Sequence, residues 1–456
     1  MSSNRLALIL LTLVTLFTGT GFVLLSLVER GQVIWTELWP AIVLGGTSLV
    51  AWVVLRRWLP AGDLLLLPSA TLLCGLGLVL IARLAPNFLM RQALWVVLGL
   101  GVMLVVALLP STWGEMASFM WGKMASCPTL KRGEIASRPT LDNLRWLRRY
   151  RYTWLILGLA LLSLTLLFGV NPSGYGARLW LGLRIVYFQP SELLKVVMVV
   201  FLASYLAEKR ELLAVGGTRI GPWRLPPLPH LGPLLLMWGF SVVLLGWQRD
   251  LGAALLFFGT FLAMLYAATG REVYVWMGIG LFLASAMAGY QLFDHVRLRV
   301  DAWWNPWPEA SGRAFQIVQS LLAFAAGGVL GQGLGQGYPV FIPVVHSDFA
   351  FAAIGEELGL LGALAVVILF AVLVYRGFRA ALAAQDTFAS LLAVGLSTML
   401  GLQALVIMGG TLKIVPLTGV TLPFVSYGGS SLVMSFAMLG LLLRVSAMAT
   451  EEGHAP

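Results

Sequence analysis

Residues 313–362 read RAFQIVQSLLAFAAGGVLGQGLGQGYPVFIPVVHSDFAFAAIGEELGLLG. Here polar chemistry is crowded against sequence apolar enough for a bilayer. Gly331, Gly333, Gly335 and Gly337 cannot share a stable helix interior, because each costs about 1 kcal/mol relative to alanine there. A loop or re-entrant segment is therefore expected. Pro339 and Pro343 keep the chain extended, and His346, Ser347 and Asp348 stand directly before an apolar run that begins at Phe349. Asp348 is thus expected at the mouth of a membrane helix. Upstream, from Ala314 to Gly328, an apolar stripe interrupted by Gln316, Gln319 and Ser320 predicts an interfacial or re-entrant helix with one polar face.

The rest of the chain fits a membrane setting. Of its 456 residues, 59% are hydrophobic and 11% charged, and the mean hydropathy is +0.88, far from the quarter-charged composition of soluble domains. Cys74 and Cys127 provide neither a disulfide framework nor a cysteine metal site. The net charge of +10 reads as basic cytoplasmic loops, not as a nucleic-acid surface. Stretches long enough to cross the hydrocarbon fall near 6–28, 38–55, 64–82, 92–109, 152–170, 189–207, 233–247, 251–269, 273–292, 349–375, 387–409 and 431–448. The count is twelve, with 233–247 the shortest. With the N-terminus inside, 19 Lys and Arg fall on the cytoplasmic side and 10 outside, and Lys195 lies within a span. The asymmetry predicts both termini inside and Asp348 outside. The polar, basic stretch 111–149 reads as a cytoplasmic insert, residues 293–347 as a large extracytoplasmic loop, and 449–456 as a cytoplasmic tail.

Several polar residues fall where a membrane makes them costly. Pro190 suits the first turn of a helix, and Glu192 and Lys195 then share one face at i, i+3. They read either as a mutually neutralised pair or as a pair lining a substrate groove. Arg178 and Trp180, just outside, could hold a phosphate or simply anchor at the interface. Asp250, after Gln248 and Arg249, reads equally well as a helix cap. The Gly- and Pro-broken segment 410–433, with Lys413, Ser426 and Ser430, is tolerable at membrane depth only where protein or a wet cavity surrounds it. Asp348 has the same ambiguity as Asp250, since aspartate before an apolar helix is an ordinary N-cap. Glu356 and Glu357 would lie roughly 12 Å deeper along that helix, which predicts a polar cavity beneath Asp348.

Taken in order, FQPSELLK at 188–195, QRDLGAA at 248–254, AFQIVQSLLAFAAGGVLGQGLGQG at 314–337, HSDFAFAAIGEELGLLG at 346–362 and LPFVSYGGSS at 422–431 resemble the SEDS family, the RodA and FtsW proteins of the bacterial cell wall. The resemblance covers about Asp63 to Arg444. It implies an all-α polytopic bundle with a ten-span core over 63–448, so residues 1–62 would be two extra N-terminal spans. It also implies a peptidoglycan glycosyltransferase of the bacterial cytoplasmic membrane. Such an enzyme polymerises lipid II into glycan strands on the outer face and releases undecaprenyl pyrophosphate, commonly beside a class B penicillin-binding protein. The family's essential acid falls on Asp348, with Ser347 where threonine is usual. Arg249 and Tyr175 also depart from the pattern, and neither removes an ionisable family residue.

Asp348 is then the candidate catalytic group, as general base or as ligand to a divalent cation, Mg or Mn. The candidates for substrate binding are Arg178, Trp180, Gln189, Ser191, Glu192, Lys195, Asp250, Gln316, Gln319, His346, Glu356, Lys413, Ser426 and Ser430. A lipid II flippase is the alternative, because intramembrane charges and broken helices also mark transporters. A scaffold that only recruits a transpeptidase is a third reading.

Overall fold

The computed structural model describes residues 3–108, 144–171, 179–183, 186–215, 219–220, 223–224 and 250–453, with isolated positions between 232 and 247. Among the described residues, 11 helices are long and apolar enough to cross a membrane, and each coincides with an expected span. The expected span 233–247, most of the insert 111–149, Arg178 and the end of the tail lie outside the described residues.

The chain is a helical bundle. In order it forms α1 (Ser3–Arg30), α2 (Trp39–Trp58), α3 (Leu66–Leu84), α4 (Leu89–Leu108), α5 (Arg151–Phe168), α6 (Pro190–Val215), α7 (Leu251–Thr269), α8 (Glu272–Leu292), α9 (Asp294–Trp304), α10 (Phe315–Gly327), α11 (Ala350–Ala383), α12 (Thr387–Thr411) and α13 (Gly429–Gly453). A short hairpin, Leu181–Leu183 with Val186–Phe188, leads into α6. Pro190 opens α6 because its missing N–H would be unpaired there in any case.

Helices α6, α12 and α13 form the centre. Most of their length is buried, whereas α8 turns nearly all of its surface outward, as a helix facing lipid should. The added pair α1–α2 is not loosely attached. Residues Ala7, Leu11, Phe22, Ala41, Leu44 and Leu55 belong to the same apolar core as α3, α6 and α13. A largely apolar cavity of about 230 Å³ lies between α4, α5, α6 and α13, near Val102, Trp154, Val197, Met434 and Arg444, and no candidate site residue lines it.

The apolar run after Asp348 is not one straight helix. At Gly359 the backbone turns to φ 68°, ψ −166° and interrupts α11, a conformation essentially restricted to glycine. An uninterrupted helix would bond the N–H groups of residues 360 and 361 to the carbonyls of 356 and 357. The glycine loop takes over both rungs. Leu360 N donates to Gly328 O at 2.9 Å and Leu361 N to Val329 O at 3.3 Å, while Gln332 N donates to Glu356 O at 2.9 Å and Gly333 N to Glu357 O at 3.0 Å. The strands of backbone lie so close that a Cβ on Gly359 would come within 2.3 Å of Gly331 N. The short apolar helix α10 leads directly into this splice.

Gly359→Ala should therefore destabilise the protein by at least about 2 kcal/mol, through a disallowed backbone and a backbone clash. Gly46→Ala in α2, where a Cβ meets nothing within 4 Å, should be neutral or slightly stabilising. Thermal unfolding of both variants in detergent checks the contrast, and equal unfolding temperatures would contradict the splice.

Candidate functional site

Asp348 sits at one end of the bundle, in a pocket of loops. The residue that caps α11 is Phe349, and no side chain makes a capping bond there, so the cap reading of Asp348 is incorrect. Its Oδ1 instead accepts from the Ser347 hydroxyl. The segment carrying it is fixed by its neighbours. Tyr427 N donates to His346 O at 2.8 Å, and Ser426 donates its hydroxyl to Ser347 O while accepting from Leu422 N at 3.1 Å. The His346 ring lies 5.3 Å from Phe88, which stacks on Tyr427 at 4.6 Å. Gly419, with φ +74°, turns the 418–420 strand so that a Cβ there would lie 3.8 Å from Asp348 Oδ2.

Arg299, from α9, is the cation beside this carboxylate, and its Nη1 donates to Thr418 O at 3.4 Å. Asp250 and Asp348, from distant parts of the chain, both act on Arg299 electrostatically. Burial raises the Asp348 pKa above the ordinary carboxylate value, and the Ser347 hydroxyl and Arg299 pull it part of the way back. Burial lowers the His346 pKa, which leaves the ring neutral at pH 7. Sequence reasoning missed Arg299. The alternating HVRLRVDAWW stretch has the composition of an interface anchor, and only tertiary structure brings one of its cations to Asp348.

A polar network extends from the pocket into the bundle. Asp250 caps α7 by accepting from Ala253 N, and its Oδ2 also accepts from Ser191 at 3.2 Å and Gln189 at 3.4 Å. Gln189 N donates to Ser430 Oγ at 3.0 Å. One turn on, Lys195 Nζ lies 2.7 Å from Glu192 Oε2 and donates to Gln403 Oε1 at 3.1 Å. Gln403 donates to Thr421 O at 2.9 Å. Gln189, Ser191, Asp250 and Ser430 are therefore one bonded set, and Glu192 and Lys195 form another with Gln403, which sequence reasoning did not single out; Ser426 belongs to the clamp on Ser347. Lys195 is spoken for by Glu192 and Gln403 and is not a free cation for a leaving group.

Other candidates have structural duties. Glu356 Oε1 accepts from Tyr338 N at 2.7 Å, and Glu357 faces Arg83 at 3.6 Å. These contacts tie both acids to the glycine loop and to the end of α3. Gln316 donates to Pro343 O at 3.4 Å and steadies the same loop, with Gln319 half-buried on that helix. Trp180 pairs through its backbone with Val170. The Lys413 carbonyl accepts from the Trp303 indole at 3.0 Å.

Comparison with known proteins places this architecture. Residues 140–451 match the model of the FtsW/RodA/SpoVE family, described as cell cycle proteins. The peptidoglycan glycosyltransferase RodA of Mycobacterium tuberculosis is 37% identical over 410 residues, covering 87% of this chain and 80% of the relative. Stage V sporulation protein E of Bacillus subtilis is 38% identical over 289 residues, covering 63% of this chain and 76% of the relative. A structure of a peptidoglycan synthase complex matches with TM-score 0.64 at 28% identity, covering 84% of this chain and 97% of its own. The rod shape determining protein RodA of Thermus thermophilus matches with TM-score 0.56 at 26% identity, covering 86% and 98%.

The buried Glu192–Lys195 pair gives a sharp test. Glu192→Gln or Lys195→Met alone leaves a buried charge uncompensated and should cost about 3–5 kcal/mol, whereas replacing both should recover most of that loss. Stability is read by unfolding in detergent and activity by polymer on a gel. Restored stability without activity is the expected outcome of the double change; full activity would remove the pair from the working site.

Proposed function

Because this chain belongs to the FtsW/RodA/SpoVE family, we infer that it is a multi-pass membrane peptidoglycan glycosyltransferase. Its substrate is lipid II, polymerised at the outer face of the cytoplasmic membrane with both termini inside. The relatives' names favour this over a lipid flippase. The observation that carries the reading is Asp348, a carboxylate with no capping duty, within the field of Arg299 and with the two residues before it bonded to the 418–427 segment.

The chemistry asks for such a group. A sugar hydroxyl attacks the anomeric carbon of the lipid-linked donor, the bond to pyrophosphate breaks, and the hydroxyl proton must leave. Asp348, in its ionised form, accepts that proton, and a raised carboxylate pKa makes it a better base. Arg299 and Lys413 lie at the same end to receive the developing charge on undecaprenyl pyrophosphate. The polyprenyl tail reaches this end laterally from the bilayer.

A divalent cation, Mg or Mn, fits under one condition. Among the described residues no cluster of three or more His, Cys, Asp or Glu exists, so Asp348 would be its protein carboxylate and substrate phosphates and water would complete the shell, an arrangement magnesium commonly adopts. Bound there, the cation would supply charge stabilisation to the pyrophosphate. The match to a peptidoglycan synthase complex supports a transpeptidase partner, of the class B penicillin-binding type.

Asp348→Asn should lower polymerisation of lipid II by about two to four orders of magnitude. The stability effect has a definite sign. A carboxyl whose pKa is raised on folding favours the protonated form, so its contribution is present below the unfolded pKa and is lost as pH climbs from there through the folded pKa. At neutral pH the Asn variant should be as stable as the wild type or slightly more so. The wild-type rate should rise with pH through the folded pKa of Asp348 and then level off. Wild-type-like polymer from the Asn variant across pH and cation concentrations would remove Asp348 from the chemistry.

The orientation has its own check. In a Cys127→Ser background, Ser311→Cys should react with a membrane-impermeant maleimide added to intact cells and Arg57→Cys should not. The reverse pattern would invert the topology.

A further inference from the structure

We infer that Arg83 is a positioning residue for the transferase site and that α1 is the strut that steadies it. The inference rests on the reading of Asp348 as the site's carboxylate.

Arg83 closes the last turn of α3. Its Nη2 donates to Gly335 O at 3.1 Å and to Gly337 O at 3.3 Å, so one guanidinium grips two carbonyls of the glycine loop. Its Nε stands 3.6 Å from the fully buried Glu357 carboxylate on α11, and its Nη1 3.4 Å from Glu29 at the end of α1. Helix α1 also touches the loop directly. A Cβ on Gly335 would meet Val28 at 3.3 Å and Leu25 at 3.4 Å. A loop of glycines has the most backbone freedom to lose, and these contacts are what hold it.

The same short stretch reaches the other side of Asp348. Leu84 packs against the apolar cluster of Ile342, Val345 and Phe349, and Phe88 stacks on Tyr427 beside His346. Residues 83–88 therefore touch the chain before Asp348 and the segment that clamps it from behind. Loosening Arg83 would free the loop and leave Glu357 without its counter-charge, and a displacement near 1 Å at a reacting group can cost about a hundredfold in rate. Lysine in its place would keep the charge but lose the planar guanidinium whose Nη2 meets the two carbonyls while Nε faces Glu357 and Nη1 faces Glu29.

The test combines hydrogen exchange with kinetics on the full chain in detergent or nanodiscs. Arg83→Gln should speed exchange of the 329–338 amides and lower kcat by about tenfold or more, with KM for lipid II within about twofold. Arg83→Lys should fall between it and the wild type. Glu29→Gln removes the ionic part of the α1 contact without stranding a buried charge, and it should speed loop exchange by a few-fold; it carries the test if Arg83→Gln does not accumulate. Unchanged loop exchange in both folded variants, or a kcat that falls only with the folded fraction, would overturn the inference. Asp348→Asn, run alongside, separates the two readings: it should abolish polymer while leaving loop exchange unchanged. If it polymerises normally, the reading of the site fails, and the exchange data alone decide the strut.

Discussion

A membrane interior offers no water to a broken helix, so every backbone group freed by a break must find a partner in protein. This constraint shapes the working end of the molecule. Gly359 interrupts α11 and releases two donors and two acceptors, and the loop after α10 returns two carbonyls and two N–H groups to the same places. Each lost rung is replaced by backbone of another segment. The loop's path is thereby fixed, and with it the start of the segment that delivers Asp348. Glu356, Glu357 and Arg83 serve that path.

Identical side-chain chemistry takes different work according to what surrounds it. Four acids lie near this end, on α7, on α11 and in the loop before it. Asp250 is consumed by a helix start and two side-chain donors. Glu356 holds a loop amide and Glu357 faces an arginine. Asp348 has one neighbouring hydroxyl and the field of Arg299, and among the described residues neither a helix start nor an ion pair occupies it. That is what a group needs if it is to exchange a proton with something that arrives from outside.

Much of this was legible in the sequence because local rules dominate there. Glycine density forces a loop, apolar length forces spans, and Pro190 and Asp250 begin helices as their backbone chemistry requires. The ionic pair at i, i+3 was legible for the same reason. The failures share a different physics. Gly359 sits in GEELGLLG, where glycine serves helix packing as readily as a break, and only the returning loop distinguishes the two. The partners of the acids at 356 and 357, Tyr338 N and Arg83, could not be read locally because they are 18 residues and most of the chain away. Arg299 and Gln403 became visible only when tertiary structure brought α9 and α12 to the pocket.

The splice also bears on how the chain enters the membrane. Helix α10 has 13 residues, about 20 Å at 1.5 Å per residue, too short to cross alone. Its trailing loop carries backbone groups whose partners are on α11, the next element made. Neither piece is complete in lipid without the other, so α10, the glycine loop and α11 must partition from the translocon as one unit. Until α11 joins it, the glycine loop has no protein partner for those groups and must leave them to water.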